Sequence, residues 1–168
     1  MKETTPWDRL LPCLFDRLTD NDPGSQVESR EKRSFTSSEY KKSVLRDLVD
    51  LLNSGSLFQV AKDELFPESH ASVLNYGIKS FTGSYVNIHS ILDIEREVKQ
   101  AIKNFEPRIM KDTLVVRVQN PGNGDSVKHH NVLTIEIEGD LWLNPYPEQL
   151  YLKTEFDLET CEFKLVGN

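Results

Sequence analysis

The segment "NFEPRIM", residues 104–110, places a carboxylate and a guanidinium on either side of a proline. Pro107 has no N–H to donate and restricts the residue before it, so a helix that enters this segment must end near Phe105. Glu106 then lies at a helix C-terminus, where the helix dipole disfavours a negative charge and a cation is needed to compensate it. If the segment is extended, Arg108 shares a side with Glu106, and the two can form an ion pair.

This pair permits two interpretations. As an exposed ion pair, it would stabilise the helix-to-strand corner by only about 0–1 kcal/mol. As a docking point, its arginine fork would offer the directional, bidentate recognition that suits an interface. The residues taken alone favour the local ion pair.

The remaining residues that could carry chemistry do not form a recognisable site. Glycoside hydrolysis needs two carboxylates about 5–10 Å apart across a cleft, whereas the acidic residues here fall at solvated helix positions or alternate outward along strands. No cysteine or acidic cluster completes a metal site with the histidines, and no phosphate-binding loop is present. We therefore predict no catalytic, cofactor-binding or metal-binding residues, and we expect both tryptophans to pack in the protein. The histidines are His70, His89, His129 and His130, and the tryptophans are Trp7 and Trp142.

Composition indicates a globular protein with one main domain. The chain has 168 residues, of which 38% are hydrophobic and 28% charged, and its formal net charge is −7. This charge argues against a nucleic acid or an anionic membrane surface as partner. No apolar run approaches the roughly 20 residues that span a bilayer, and the first residues lack the apolar core of a signal peptide. Cys13 and Cys161 have no metal-like spacing, so we expect no disulfide framework and a cytoplasmic location.

Residues 1–35 are predicted to form an N-terminal arm. Within residues 7–18 the apolar side chains recur at helical spacing, with Pro12 in the first turn. Residues 19–34 are polar and contain a turn signal, which is typical of a flexible linker. The apolar side chains of this loosely attached helix could dock on a partner or pack back on the core of the protein. Those we select as partner-binding candidates are Leu14, Phe15 and Leu18.

Residues 36–168 are predicted to form the main domain, which opens with helices. Thr36 and Glu39 have the spacing of a capping box at the start of the first helix. A short helix is expected over residues 69–76, and a second long helix begins with Ser90 as its N-cap and runs up to the proline. The apolar stripes are Val44, Leu45, Leu48, Leu51 and Leu52 in the first long helix, and Ile91, Ile94, Val98, Ala101, Ile102 and Phe105 in the second.

After the proline the hydrophobic period changes from helical to alternating. In the second predicted strand Leu133, Ile135 and Ile137 face one way and the polar residues between them face the other, which is typical of an antiparallel sheet with one buried face. Helices followed by strands indicate an α+β fold, with N-terminal helices packed on a C-terminal antiparallel four-strand meander. The predicted strands cover residues 113–119, 132–143, 149–156 and 161–166.

Four segments in this order resemble the TssE family of type VI secretion baseplate subunits, which are related to the small wedge protein of contractile phage baseplates. "LFDRLTD" is similar to a segment near the N-terminus of these subunits, and "SVLRDLVDLLNS" to their first core helix. "SVLNYGI" is similar to their Tyr-Gly turn, and "FEPRI" to their Glu-Pro-Arg signature. The resemblance covers residues 10–166.

The resemblance implies a structural subunit. Such a protein docks on larger wedge subunits of the TssF, TssG and TssK type, and its sheet templates the first ring of TssB- and TssC-type sheath subunits. It works in the cytoplasm at the inner membrane without inserting into it. Glu106, Pro107 and Arg108 would be contact residues. With the resemblance included, the docking interpretation is therefore favoured over the local ion pair. The alternatives are a regulatory anti-adaptor of the same fold and, less favoured, a lysozyme-like muramidase.

Overall fold

The computed structural model describes residues 10–20, 23–24, 34–57, 68–69, 72–81, 88–119 and 132–166. Within them the helices come first and the strands follow, which confirms the predicted α+β class. The elements are α1 (Leu14–Leu18), α2 (Ser37–Leu52), a 3-10 turn (Val73–Asn75), α3 (Ile88–Phe105), β1 (Val115–Gln119), β2 (Val132–Leu141), β3 (Glu148–Asp157) and β4 (Glu162–Leu165).

The start of α2 is fixed by the predicted capping box. The Thr36 hydroxyl accepts a hydrogen bond from the Glu39 N–H at 3.3 Å, and the Glu39 carboxylate accepts one from the Thr36 N–H at 2.8 Å. Two helical donors that would otherwise lack partners are satisfied in this way. The apolar stripe of α2 faces the core, with Leu45 only partly buried and the other four residues fully buried.

The other helical predictions are confirmed in part. α3 begins at Ile88, so Ser90 lies inside the helix and is not its N-cap; the helix ends at Phe105 as expected. The helix predicted over residues 69–76 is instead a 3-10 turn of three residues before Gly77. The Asn75 N–H bonds to the Ser72 carbonyl oxygen at 3.0 Å and the Tyr76 N–H to the Val73 carbonyl oxygen at 3.3 Å. Both bonds span three residues, which is the tighter 3-10 geometry.

The four strands form one antiparallel sheet in the order β1-β2-β3-β4, as predicted. Leu133, Ile135 and Ile137 of β2 are completely buried on the face that α2 and α3 cover. β1 begins two residues later than predicted, because the Thr113 N–H bonds to the Met110 carbonyl oxygen in a turn that precedes the strand.

Ion pairs occupy the opposite face of the sheet. Arg117 lies 3.0 Å from Glu138, and Lys153 lies 3.7 Å from Glu136, in each case across neighbouring strands. Opposite charges at cross-strand positions stabilise a solvated sheet face modestly. This face therefore carries the polar half of the alternating pattern, as expected.

The arm helix α1 is shorter than predicted. It begins after Cys13, so Pro12 precedes the helix and does not lie in its first turn. Leu10 forms an isolated antiparallel bridge with Phe35, two residues before α2 begins. Most of the predicted linker lies outside the described residues. No helix in the described ranges is long and apolar enough to cross a membrane.

Candidate functional site

The corner, residues 105–109, is a turn and not the extended segment that we expected. The Glu106 N–H still bonds to the Ile102 carbonyl oxygen at 2.9 Å, and the Ile109 N–H bonds back to the Glu106 carbonyl oxygen at 3.3 Å. Pro107 thus occupies the second position of a four-residue turn, where its fixed φ is favourable. The chain reverses here because proline prevents α3 from continuing.

Backbone hydrogen bonds attach the corner to the end of β2. The Trp142 N–H donates to the Arg108 carbonyl oxygen at 2.8 Å, and the Met110 N–H donates to the Asp140 carbonyl oxygen at 2.8 Å. Ile109 lies between them, bridged to Leu141 and buried in the core. The position of the Arg108 side chain is therefore set by both α3 and the sheet.

The predicted ion pair between Glu106 and Arg108 is present. The Arg108 Nε donates to Glu106 Oε1 at 2.7 Å, and its Nη2 donates to Glu106 Oε2. The Arg108 backbone N–H also donates to Glu106 Oε1, at 3.1 Å. The contact is the parallel two-point pairing of a guanidinium and a carboxylate, which is stronger than a single hydrogen bond.

This pair is not the exposed one that we expected. Glu106 is only 4% exposed, and the Arg108 side chain is 21% exposed. A surface ion pair contributes little, but removing one partner of a buried pair leaves an uncompensated charge and is strongly destabilising. Removing one partner of the Glu106–Arg108 pair should therefore cost far more stability than the sequence suggested.

Two residues of α2 complete the surroundings of Arg108, and the sequence analysis did not select them. The Arg108 Nη2 donates to Asp47 Oδ2 at 2.7 Å, and its Nη1 lies 3.4 Å from the Ser43 hydroxyl. Ser43 and Asp47 are four residues apart, so they lie on the same face of the helix. In the sequence, both are polar residues next to the apolar stripe of α2, and this position could have identified them.

The same network extends to the arm. The Arg46 guanidinium donates to Asp47 Oδ1 at 2.7 Å, and its Nη1 donates to Asp16 on α1. The Ser43 hydroxyl donates to Asp16 Oδ2 at 3.0 Å. Acidic and basic side chains thus alternate from α1 across α2 to the corner. We call this set the charged network: Asp16, Arg46, Asp47, Arg108 and Glu106.

Hydrogen bonds and neighbouring charges favour the charged forms of Arg108 and Asp16. Burial opposes the charged form of Arg108, but its hydrogen bonds and charge interactions with Glu106 and Asp47 outweigh that effect and raise the pKa of Arg108 above its ordinary value. The hydrogen bond from Arg46 holds the pKa of Asp16 well below its usual range, although burial acts in the opposite direction. At neutral pH, α1 is therefore attached to α2 by the ion pair of Asp16 with Arg46.

An open pocket of about 450 Å³ lies beside the corner. Residues just before α1 form one wall of this pocket. The other walls are formed by α2, by Tyr76 and by the corner. The Tyr76 and Phe105 rings meet edge to face inside it, with centroids 5.4 Å apart. The lining residues are Leu11, Cys13, Tyr40, Ser43, Asp47, Leu51, Tyr76, Phe105, Glu106, Pro107 and Arg108.

The partner-binding candidates on α1 point away from the core. Leu14, Phe15 and Leu18 are between 64% and 76% exposed, and no residue of α1 is buried. Phe15 lies under the Arg46 guanidinium, 4.9 Å from its ring centroid, and this contact leaves most of the ring accessible. The alternative in which these side chains pack back on the core of the protein is wrong.

Trp142 was expected to pack, and this expectation is also wrong. Its side chain is 75% exposed next to the corner, because it lies just beyond β2 on the solvated side. Alternation along the strand places Leu141 in the core and its neighbour outside. Exposed aromatic side chains such as tryptophan are enriched among the residues that contribute most to interfaces.

Glu106 and Asp47 are not placed like the two carboxylates of a glycoside hydrolase. The oxygens of Glu106 and Asp47 accept hydrogen bonds from the same guanidinium, so they are not available to protonate a glycosidic oxygen. No group of acidic, histidine or cysteine side chains in the described part of the chain could hold a metal ion. His70, His129 and His130 lie outside the described residues, as does the side chain of His89.

Comparison with known proteins agrees with this geometry. The chain matches the family of the baseplate wedge protein gp25 over residues 38–146, a range that contains α2 from its second residue, α3, the corner and the first two strands. No curated protein matches the chain significantly. A match over more than half of the chain shows the family, and the protein therefore belongs to the baseplate wedge protein gp25 family, the TssE family of phage-like baseplate proteins.

Proposed function

We propose that the protein is a structural subunit of a type VI secretion baseplate wedge. In this role it docks on larger wedge subunits of the TssF, TssG and TssK type, and its sheet templates the first ring of TssB- and TssC-type sheath subunits. It acts in the cytoplasm, at the cytoplasmic face of the inner membrane. The family match supports the structural role, and the surface around the corner supports the docking.

The observation that carries the docking proposal is one surface formed by the arm and the corner. The charged network joins α1 to Arg108, and the arm and the corner line the same pocket. Exposed apolar side chains lie on α1 and at Trp142. Binding energy at interfaces concentrates in a few aromatic and arginine side chains that become desolvated, surrounded by weaker contacts.

The structure changes how docking must be tested. Arg108→Ala alone would combine any loss of binding with a loss of folding, because Glu106 is buried. Exposed residues avoid this difficulty, since their replacement leaves the core unchanged. The two informative variants are the double substitution Leu14→Ser with Leu18→Ser on the arm, and Trp142→Ala beside the corner.

We expect both variants to melt like the native protein and to lose co-purification with the larger wedge subunits by tenfold or more, which corresponds to about 1.4 kcal/mol. The control is Leu92→Ser, which removes an exposed leucine from α3, away from the arm and the corner. Native retention of the wedge subunits by both variants would overturn the docking proposal. If only one variant lost co-purification with the wedge subunits, docking would be assigned to the arm or to the corner alone.

A further inference from the structure

The hydroxyl of Ser43 lies between the arm and the corner, and its contacts fix which way its hydrogen points. The oxygen is 3.0 Å from Asp16 Oδ2, 3.4 Å from Arg108 Nη1 and 3.5 Å from Arg46 Nη2. An ionised carboxylate only accepts hydrogen bonds, and a guanidinium only donates them. Because a hydroxyl has one hydrogen, Ser43 donates it to Asp16 and presents its lone pairs to the two arginines.

Ser43 helps to hold the Arg108 guanidinium in place. The Arg108 Nε donates to Glu106, and its Nη2 donates to both Glu106 and Asp47. For the remaining nitrogen, Nη1, the acceptor that the described residues provide is the buried hydroxyl of Ser43. Any change that turns this hydroxyl therefore changes how firmly Arg108 is held.

Asp16 sets the orientation of Ser43, and it belongs to the arm helix α1, which buries no residue. If α1 moves away, the Ser43 hydrogen needs another acceptor. Inside a helix, that acceptor is ordinarily the carbonyl oxygen four residues earlier, which here belongs to Glu39. Turning toward Glu39 directs the lone pairs of Ser43 away from Arg108. Movement of α1 is thus transmitted to the corner by a residue of α2.

We propose that Ser43 couples the two parts of the docking surface. While α1 is attached, Ser43 holds Arg108 inward; when a partner withdraws α1, Ser43 turns and Arg108 is released. The inference rests on the proposed function and adds an order to it, in which capture of α1 precedes engagement of the corner. Leu11 and Cys13 also line the pocket beside Arg108, so withdrawal of the arm opens this pocket as well. The released Nη1 then donates to a carbonyl or carboxylate oxygen of the partner.

The coupling is tested in the isolated full-length protein by NMR measurement of hydrogen exchange at the Arg108 Nε–H. This N–H donates to Glu106 and exchanges with water when the guanidinium is released. Asp16→Ala should raise its exchange rate about threefold, because the acceptor that orients Ser43 is lost. The control is Asp93→Ala, which removes an exposed carboxylate from α3 and should have no effect. An unchanged exchange rate in Asp16→Ala would overturn the coupling.

A double-mutant cycle identifies Ser43 as the link. Ser43→Ala keeps the helix propensity of α2 and should itself raise the exchange rate of the Arg108 Nε–H, because Nη1 loses its acceptor. In this background Asp16→Ala should have less than half of its usual effect, since the route through the hydroxyl is absent. Direct attraction between Asp16 and Arg108 would give the same factor in both backgrounds, and that result would overturn the role of Ser43.

The order of docking is tested with purified larger wedge subunits. Asp16→Ala leaves the apolar face of α1 intact, and it should bind these subunits about threefold more tightly than the native protein, because the binding-competent state is more populated. Equal or weaker binding would overturn the order. The docking proposal itself depends on the Leu14→Ser with Leu18→Ser variant and on Trp142→Ala, so a failure of the coupling is distinguishable from a failure of docking.

Discussion

Arg108 binds two carboxylates at once, and their different exposure determines what its replacement would do. Glu106 is almost completely buried, whereas Asp47 is partly exposed and has Arg46 as a second partner. Without Arg108, water and Arg46 can still solvate or neutralise Asp47. Glu106 would keep only the hydrogen bond from the backbone N–H of residue 108, so most of the destabilisation arises at Glu106.

We therefore predict that Arg108→Ala destabilises the protein by about 3–5 kcal/mol, as expected when a buried ion pair loses one partner. Adding Glu106→Gln should recover part of this loss, because the uncompensated charge disappears. Urea denaturation of the single and double variants measures both effects. The control is Arg96→Ala, which breaks an exposed pair with Asp93 and should cost about 0–1 kcal/mol. Equal costs for Arg108→Ala and Arg96→Ala would contradict the structural interpretation of the corner.

At the scale of elements, the end of α2 is held against the segment that follows the 3-10 turn. The Ile78 N–H donates to the Ser54 carbonyl oxygen at 2.9 Å, and the Ser56 N–H donates to the Ile78 carbonyl oxygen at 2.9 Å. Gly77 permits this close approach. Its φ is +116°, and a Cβ at this position would lie 2.3 Å from the Ser54 carbonyl oxygen. The same contact holds the C-terminal end of α2, where the Asn53 side chain hydrogen-bonds to the backbone of β4.

Gly77→Ala should accordingly destabilise the protein by about 2–3 kcal/mol, because both the φ angle and the backbone clash disfavour a side chain. The matched control is Gly55→Ala, where an added Cβ would meet no atom within 4 Å. Thermal melting of the two variants makes the comparison. A similar, small change in both would mean that the close approach of the backbone is not required.

At the scale of the whole molecule, α1 is attached to α2 by polar contacts and not by a hydrophobic core. Asp16 receives hydrogen bonds from Arg46, Ser43 and the Cys13 thiol, while no residue of α1 is buried. We expect α1, which buries no residue, to open more readily than the buried helices. The polar attachment leaves the apolar side chains of α1 accessible to a partner, as the proposed docking requires.

The attachment of α1 should weaken in acid. The hydrogen bond from Arg46 holds the pKa of Asp16 in the folded protein well below its ordinary value of 3.8. A lowered pKa contributes stability above the ordinary value, and this contribution is lost as the pH falls through the folded value. At pH 6, Asp16→Asn should increase amide exchange in α1 by roughly tenfold relative to the native protein.

This ratio of exchange rates should decrease toward one as the pH is lowered below about 4. Asp93→Asn, which neutralises an exposed carboxylate on α3, should leave exchange in α1 unchanged at every pH. A ratio for Asp16→Asn that does not depend on pH would mean that the Asp16 carboxylate does not hold α1 in place.

The sequence by itself determined the features that depend on neighbouring residues. The change from helical to alternating period fixed the class and order of the elements, because side-chain direction repeats differently in helices and strands. The capping box fixed the start of α2, and Pro107 fixed the end of α3. The sequence also indicated that Glu106 needs a cation and that Arg108 is the nearest one. Where a segment was too short to show a period, as before Gly77, the prediction of an α-helix was wrong.

Only the tertiary structure decided the features that depend on which elements meet. The low solvent exposure of Glu106 follows from the packing of α2 and α3 on the sheet. Asp47 reaches Arg108 from 61 residues away, and Asn53 reaches Phe163 from 110 residues away. No local pattern encodes such contacts, because each depends on the relative position of two elements in space. The same packing determines which ion pair is important for folding.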